Sequence, residues 1–111
     1  MTAGRLKIRI ARTFRQRLLG VCAWDDWDAQ SWALWLPRCR AVQTLALSRP
    51  IDVVFVTATG EPVRVVRRLP PRRACMCLQA WGVFEFPPGY CSIPGWSDVL
   101  SDAGGALKIE V

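Results

Sequence analysis

Two β-branched runs stand five residues apart, Ile51-Asp52-Val53-Val54-Phe55-Val56 and Pro62-Val63-Arg64-Val65-Val66-Arg67-Arg68-Leu69, and between them lies Thr57–Glu61 with Gly60. Valine, isoleucine and phenylalanine fit a pleated, half-buried surface, and a short glycine-containing connection returns the chain on itself. A β-hairpin over 51–69 is therefore the fixed point around which the rest must fold.

The flanking segments extend this reading. Leu6, Ile8 and Ile10 alternate with Arg5, Lys7 and Arg9, the period of a half-buried strand. Thr13 followed by Gln16 is a capping-box spacing, Phe14, Leu18 and Val21 fall at helical intervals, and Gly20 offers a stop, which predicts a short helix over 13–20. Residues 24–30 read as a loop, 32–36 as an apolar run closed by Pro37, and 42–47 as apolar-rich before a turn at 48–50. Residues 75–86 are long enough for one bent strand or two, with Gly82 as the bend. A Gly/Pro/Ser-rich loop to about 105 and a last short strand over 107–111 complete the chain. The fold class expected is mainly β (α+β), a small antiparallel barrel or strongly curved sheet with one short N-terminal helix. At 111 residues the chain reads as a single domain spanning 1–111.

Composition narrows the chemistry. The chain has no His, which removes Ser–His and Cys–His dyads and His-ligated zinc or haem. Its formal net charge is +6, and arginine supplies most of it. Cysteines stand at 22, 39, 75, 77 and 91 without zinc-finger spacing, so neither a metal site nor a cofactor is expected. The start MTAGRLKIRI has no apolar signal core, and no run approaches a membrane span. Free thiols, a cytoplasmic location, no membrane association and a monomer are expected.

Several features recur in the order found in one family. Arg17-Leu18-Leu19-Gly20, then Cys39 with Val42-Gln43-Thr44, Leu47 and Pro50-Ile51-Asp52, the Gly60 hairpin, Pro71-Arg72, and Val83-Phe84-Glu85-Phe86-Pro87-Pro88-Gly89 together resemble the DUF192 (UPF0127) family over residues 8 to 100. The departures are Gln43 in place of the family's His or Asn, Leu47 in place of Met, Arg49 before Pro50, and Ser97-Asp98 where Gly-Asp is usual. The resemblance implies a small, mainly β domain and brings no established activity with it.

The candidate pocket or motif residues are Arg17, Cys39, Gln43, Thr44, Asp52 and Glu85. A carboxylate set among apolar strand residues is costly to bury unpaired, so Asp52 and Glu85 each demand a partner. The functional reading gathers Arg17, Gln43, Thr44, Asp52 and Glu85 around one pocket, and the structural one pairs Arg17 with a carboxylate or strand-end carbonyls and spends Gln43 and Thr44 on backbone groups. Cys39 lies between Arg38 and Arg40, and positive neighbours lower a thiol pKa and favour thiolate. Trp24 and Trp27 in a loop, and Arg67 and Arg68 in the hairpin, are candidate surface contacts. Alternation puts Arg64 and Arg68 on one face and Arg67 on the other, so no single basic stripe forms, and nucleic acid ranks low as a partner. The leading expectation is a non-catalytic domain that binds a small molecule or a protein partner. Its rivals are a hydrolase using Asp52 and Glu85 as a carboxylate pair, and a nucleic-acid binder.

Overall fold

The computed structural model describes residues 7–13, 16–17, 20 and 32–97. Seven strands run in chain order: β1 (Lys7–Ile10), β2 (Trp32–Pro37), β3 (Ala41–Gln43), β4 (Ile51–Val56), β5 (Pro62–Leu69), β6 (Ala74–Met76) and β7 (Gly82–Phe86). A 3-10 turn follows at Tyr90–Ser92. Five strands form one sheet in the order β1-β2-β7-β4-β5, and β3 and β6 pair as a separate two-stranded ribbon.

The hairpin forms as the β-branched runs require: Val53 pairs with Val66, Val54 with Val65 and Phe55 with Arg64. Its two strands differ in depth. Every residue of β4 is buried, because β7 pairs along its other edge and both sheet faces are covered. In β5 all but Val66 and Leu69 are exposed, because β5 is an edge strand. The hairpin is thus not the centre of the sheet; β7, between β2 and β4, is.

Two expectations are corrected. The sheet does not close into a barrel: β1 and β5 are its two edges, and β1 pairs β2 in parallel. The helix over 13–20 is not an element of the described structure. Thr13 and Gln16 do form the reciprocal cap, Gln16 N–H to Thr13 Oγ1 at 3.1 Å and Thr13 N–H to Gln16 Oε1 at 3.3 Å. Arg17 N–H to Thr13 O closes that turn, and Gly20 takes a left-handed φ of 58° that no helix continues through; residues 14–15 and 18–19 lie outside the described residues. Of the two readings of 75–86 the two-strand one holds, with Gly82 opening β7 rather than bending a continuous strand. The segment divides at a turn, since Cys77 N–H bonds to Arg40 O while Trp81 N–H bonds to Val56 O, so its two halves serve different sheets. The last strand expected over 107–111 lies outside the described residues.

Each sheet face carries its own core. On one face Leu34, Leu36, Ile51, Val53, Phe55, Leu69 and Val83 are covered by the ribbon through Val42 and Cys77. A two-stranded ribbon is marginal alone, and this burial supplies what its three ladder pairs lack. The opposite face holds Ala33, Trp35, Val54, Val56, Phe84 and Phe86, with Cys91 brought over them by the 3-10 turn. There an aromatic series runs Trp81, Trp35, Phe84, Phe86, Tyr90, with successive centroids 4.5–6.0 Å apart.

Candidate functional site

The six pocket candidates do not share one cavity. Asp52 pairs with Phe86 and points to the aromatic face, whereas Glu85 pairs with Val53 and Leu34 and points to the ribbon face. Side chains alternate across a strand, so the sheet itself separates the two carboxylates. A hydrolase built on this pair is thereby ruled out.

Asp52 is fully buried and both of its oxygens are occupied. Oδ1 accepts the Arg68 N–H at 2.9 Å and Oδ2 the Cys91 N–H at 2.8 Å. The first bond sits at a β-bulge: three steps on β5, Val66 to Leu69, match two on β4, Ile51 to Val53, and Arg68 takes a positive φ of 53°. The second anchors the 3-10 turn over the aromatic face. The bulge also overturns the expected alternation of the arginines. Arg67 Nε bonds to Cys91 O, and the Arg68 guanidinium lies beside Gly89, so both belong to the Asp52 side, while Arg64 reaches Met76 O on the ribbon side.

Beneath the ribbon, Glu85 is brought together with Arg17, Cys39 and Cys75. Arg17 forks onto the end of β2, Nη1 donating to Pro37 O at 2.8 Å and Nη2 to Arg38 O at 3.3 Å. Three residues on, the Gly20 backbone lies so close to Glu85 that a Cβ there would stand 2.6 Å from Oε1. The spacing Arg-x-x-Gly thus has a physical account: one end clasps a strand terminus and the other closes over a buried carboxylate. Cys39 donates to Ala41 O, and burial pushes its thiol pKa up, against the expected activation. The cation that opposes the shift is Arg17 rather than either sequence neighbour, and the charge of Glu85 adds to it. Burial and Glu85 raise Cys75 likewise, with Arg64 opposing.

Thr44 and Gln43 serve the ribbon's end. Thr44 is fully buried, and its hydroxyl donates to Pro70 O at 2.6 Å and accepts the Arg73 N–H at 2.9 Å. Gln43 Oε1 accepts the Leu45 N–H at 2.6 Å, tightening the turn after β3. Trp24 and Trp27 lie outside the described residues. Among the described residues no group of three or more His, Cys, Asp or Glu is placed to hold a metal ion, and no helix is long and apolar enough to cross a membrane.

One surface feature escaped the sequence reading. The ribbon turns Val42, Thr44 and Cys77 inward and Ala41, Leu45, Ala74, Met76 and Leu78 outward. Leu45, Met76 and Leu78 are 69%, 55% and 68% exposed, while most other large apolar side chains among the described residues are covered. The signal was the alternation in Ala74-Cys75-Met76-Cys77-Leu78, legible once the cysteines are taken as the buried face.

No family model matches the chain, and no curated protein does. A solved structure from Novosphingobium aromaticivorans DSM 12444, a protein of unknown function, is similar to it with a TM-score of 0.57 at 15% identity. The likeness covers 77% of this chain, and the chain spans 65% of that one. At that identity the likeness shows the fold alone. It brings no specific activity.

Proposed function

We propose that this chain is a non-catalytic domain that binds a protein partner through the outward face of the β3–β6 ribbon. The observation that carries the reading is the exposure of Leu45, Met76 and Leu78 along one face of the ribbon, when most other large apolar side chains among the described residues are covered. Against catalysis stand the two carboxylates on opposite faces, the use of both Asp52 oxygens by main-chain N–H groups, and the upward shift of the Cys39, Cys75 and Cys91 thiols, which keeps them protonated near neutral pH. A small molecule is the lesser alternative, since the six motif residues divide among three separate places.

We further propose that the chain is a divergent relative of the DUF192 (UPF0127) family. The support is that its family-like residues hold the fold: Arg17 and Gly20 around Glu85, Thr44 at the ribbon's end, Asp52 at the bulge. Free thiols at Cys39, Cys75, Cys77 and Cys91 suit a reducing, cytoplasmic setting.

Selection of displayed random peptides against the purified chain tests the binding role. Peptides recovered on the wild type should lose affinity for a Leu45→Ser/Leu78→Ser variant whose melting temperature is unchanged, because both side chains are already solvated. Peptides indifferent to those two positions would refute it.

A further inference from the structure

We infer that the ribbon face takes an acidic segment of its partner, apolar side chains on Leu45, Met76 and Leu78 and carboxylates on the arginines around them. This deepens the binding role proposed above and rests on it. The reason is the charge carried by the segments that build the ribbon itself.

The arginines bracket the apolar strip. At the Leu45 end, Thr44 N–H bonds to Arg73 O and Arg72 N–H to Thr44 O, which seats Arg72 and Arg73 beside the turn. At the Leu78 end, Cys77 N–H bonds to Arg40 O, and the Arg40 side chain is tied to Ala80 O. Arg64 reaches Met76 O from β5. The segments 38–49 and 70–81 that build the ribbon and its turns contain five arginines and no Asp or Glu. An apolar strip bordered by arginines selects its occupant by charge as well as by shape.

The same observations disfavour other occupants. A second copy of this chain would oppose arginine to arginine. A single-stranded nucleic acid wants aromatic platforms, and the strip presents only aliphatic side chains and Met76.

The test uses three labelled synthetic peptides of equal length, alternating Glu-Leu, Gln-Leu and Lys-Leu, with phosphatidylserine vesicles and an oligothymidylate as competitors. Anisotropy titrations should show Glu-Leu binding at least about tenfold tighter than Gln-Leu, with no binding of Lys-Leu, and a preference that shrinks with salt. Arg72→Gln/Arg73→Gln should cost Glu-Leu about tenfold in affinity. Neither guanidinium holds the core, so circular dichroism of that variant should match the wild type. Equal binding of Glu-Leu and Gln-Leu, both lost in Leu45→Ser/Leu78→Ser, would overturn the acidic partner while leaving the docking face standing. Binding indifferent to Leu45 and Leu78 would overturn both. Tighter capture by the vesicles or the oligothymidylate would overturn the acidic segment in favour of a phosphate-bearing partner.

Discussion

Asp52 and Glu85 stand one register step apart across the β4–β7 pair and point to opposite faces of the sheet. Two buried carboxylates that look like a catalytic pair along the chain are in fact two separate structural devices. Asp52 joins a bulge to a 3-10 turn on one face, and Glu85 lies under Gly20 on the other.

Replacing Asp52 by Asn should destabilise the protein without touching its surface. The amide keeps one acceptor oxygen, so either the Arg68 or the Cys91 N–H must face an NH2 group instead. A buried donor left unsatisfied costs about 1–3 kcal/mol. Urea denaturation should show the midpoint falling at unchanged slope, and an unaltered midpoint would mean that the bulge does not depend on this side chain.

Gly82→Ala addresses the aromatic packing on the same face as Asp52. The first residue of β7 lies under the Trp35 indole, and a Cβ there would run into Cη2. That ring is buried, stacked on Trp81 and tilted against Phe84, so it cannot yield without disturbing both. Overpacking of this kind costs about 1–3 kcal/mol, and the near-ultraviolet dichroism of the tryptophans should change with it. An alanine accepted with the wild-type spectrum would show the aromatic series to be looser than drawn.

The local rules were the legible part of this chain. Alternation and turn residues located the 51–69 hairpin, and Thr13 with Gln16 announced a cap that forms. Pairings between distant segments were not legible. Nothing in Trp32–Pro37 says that it lies between β1 and β7, and whether a set of strands closes or stays open is decided by such long-range choices. The bulge at Arg68 was hidden for a related reason. It is stabilised by a side chain sixteen residues away, and it inverted the predicted face of Arg68. The candidate site suffered most, because Asp52 and Glu85 were judged by residue type, while their roles depend on which side of one strand each occupies.

Arg17→Met tests the clasp at the end of β2. The guanidinium gives two hydrogen bonds to the carbonyls of Pro37 and Arg38, and Met replaces the stem but not the fork. One of the two bonds is solvent-exposed, so the expected loss is about 1–2 kcal/mol, seen as a lower melting temperature. Lys should restore only part of it, since a single ammonium cannot reproduce two fixed directions. Full rescue by Lys would reduce Arg17 to a charge.

Alkaline pH should unfold this protein earlier than its composition suggests. Burial, then the negative charge of Asp52, push the Cys91 thiol up to about 12, with Arg67 opposing. Cys39, Cys75 and Tyr90 are raised as well, each chiefly by burial. A raised thiol or phenol pKa means that the folded chain keeps a proton which the unfolded chain releases. For Cys91 the stabilisation is therefore complete below the unfolded value of 9.0 and lost as pH climbs from there toward about 12. Urea midpoints measured from neutral pH upward should stay level and then fall within that window. Cys91→Ala should lower the neutral-pH midpoint, because the thiol is buried, yet make the alkaline decline shallower. A decline equally steep in Cys91→Ala would assign it to the other raised groups. In the wild type, alkylation of Cys91 by iodoacetamide near pH 8 should lag far behind that of the same chain in urea.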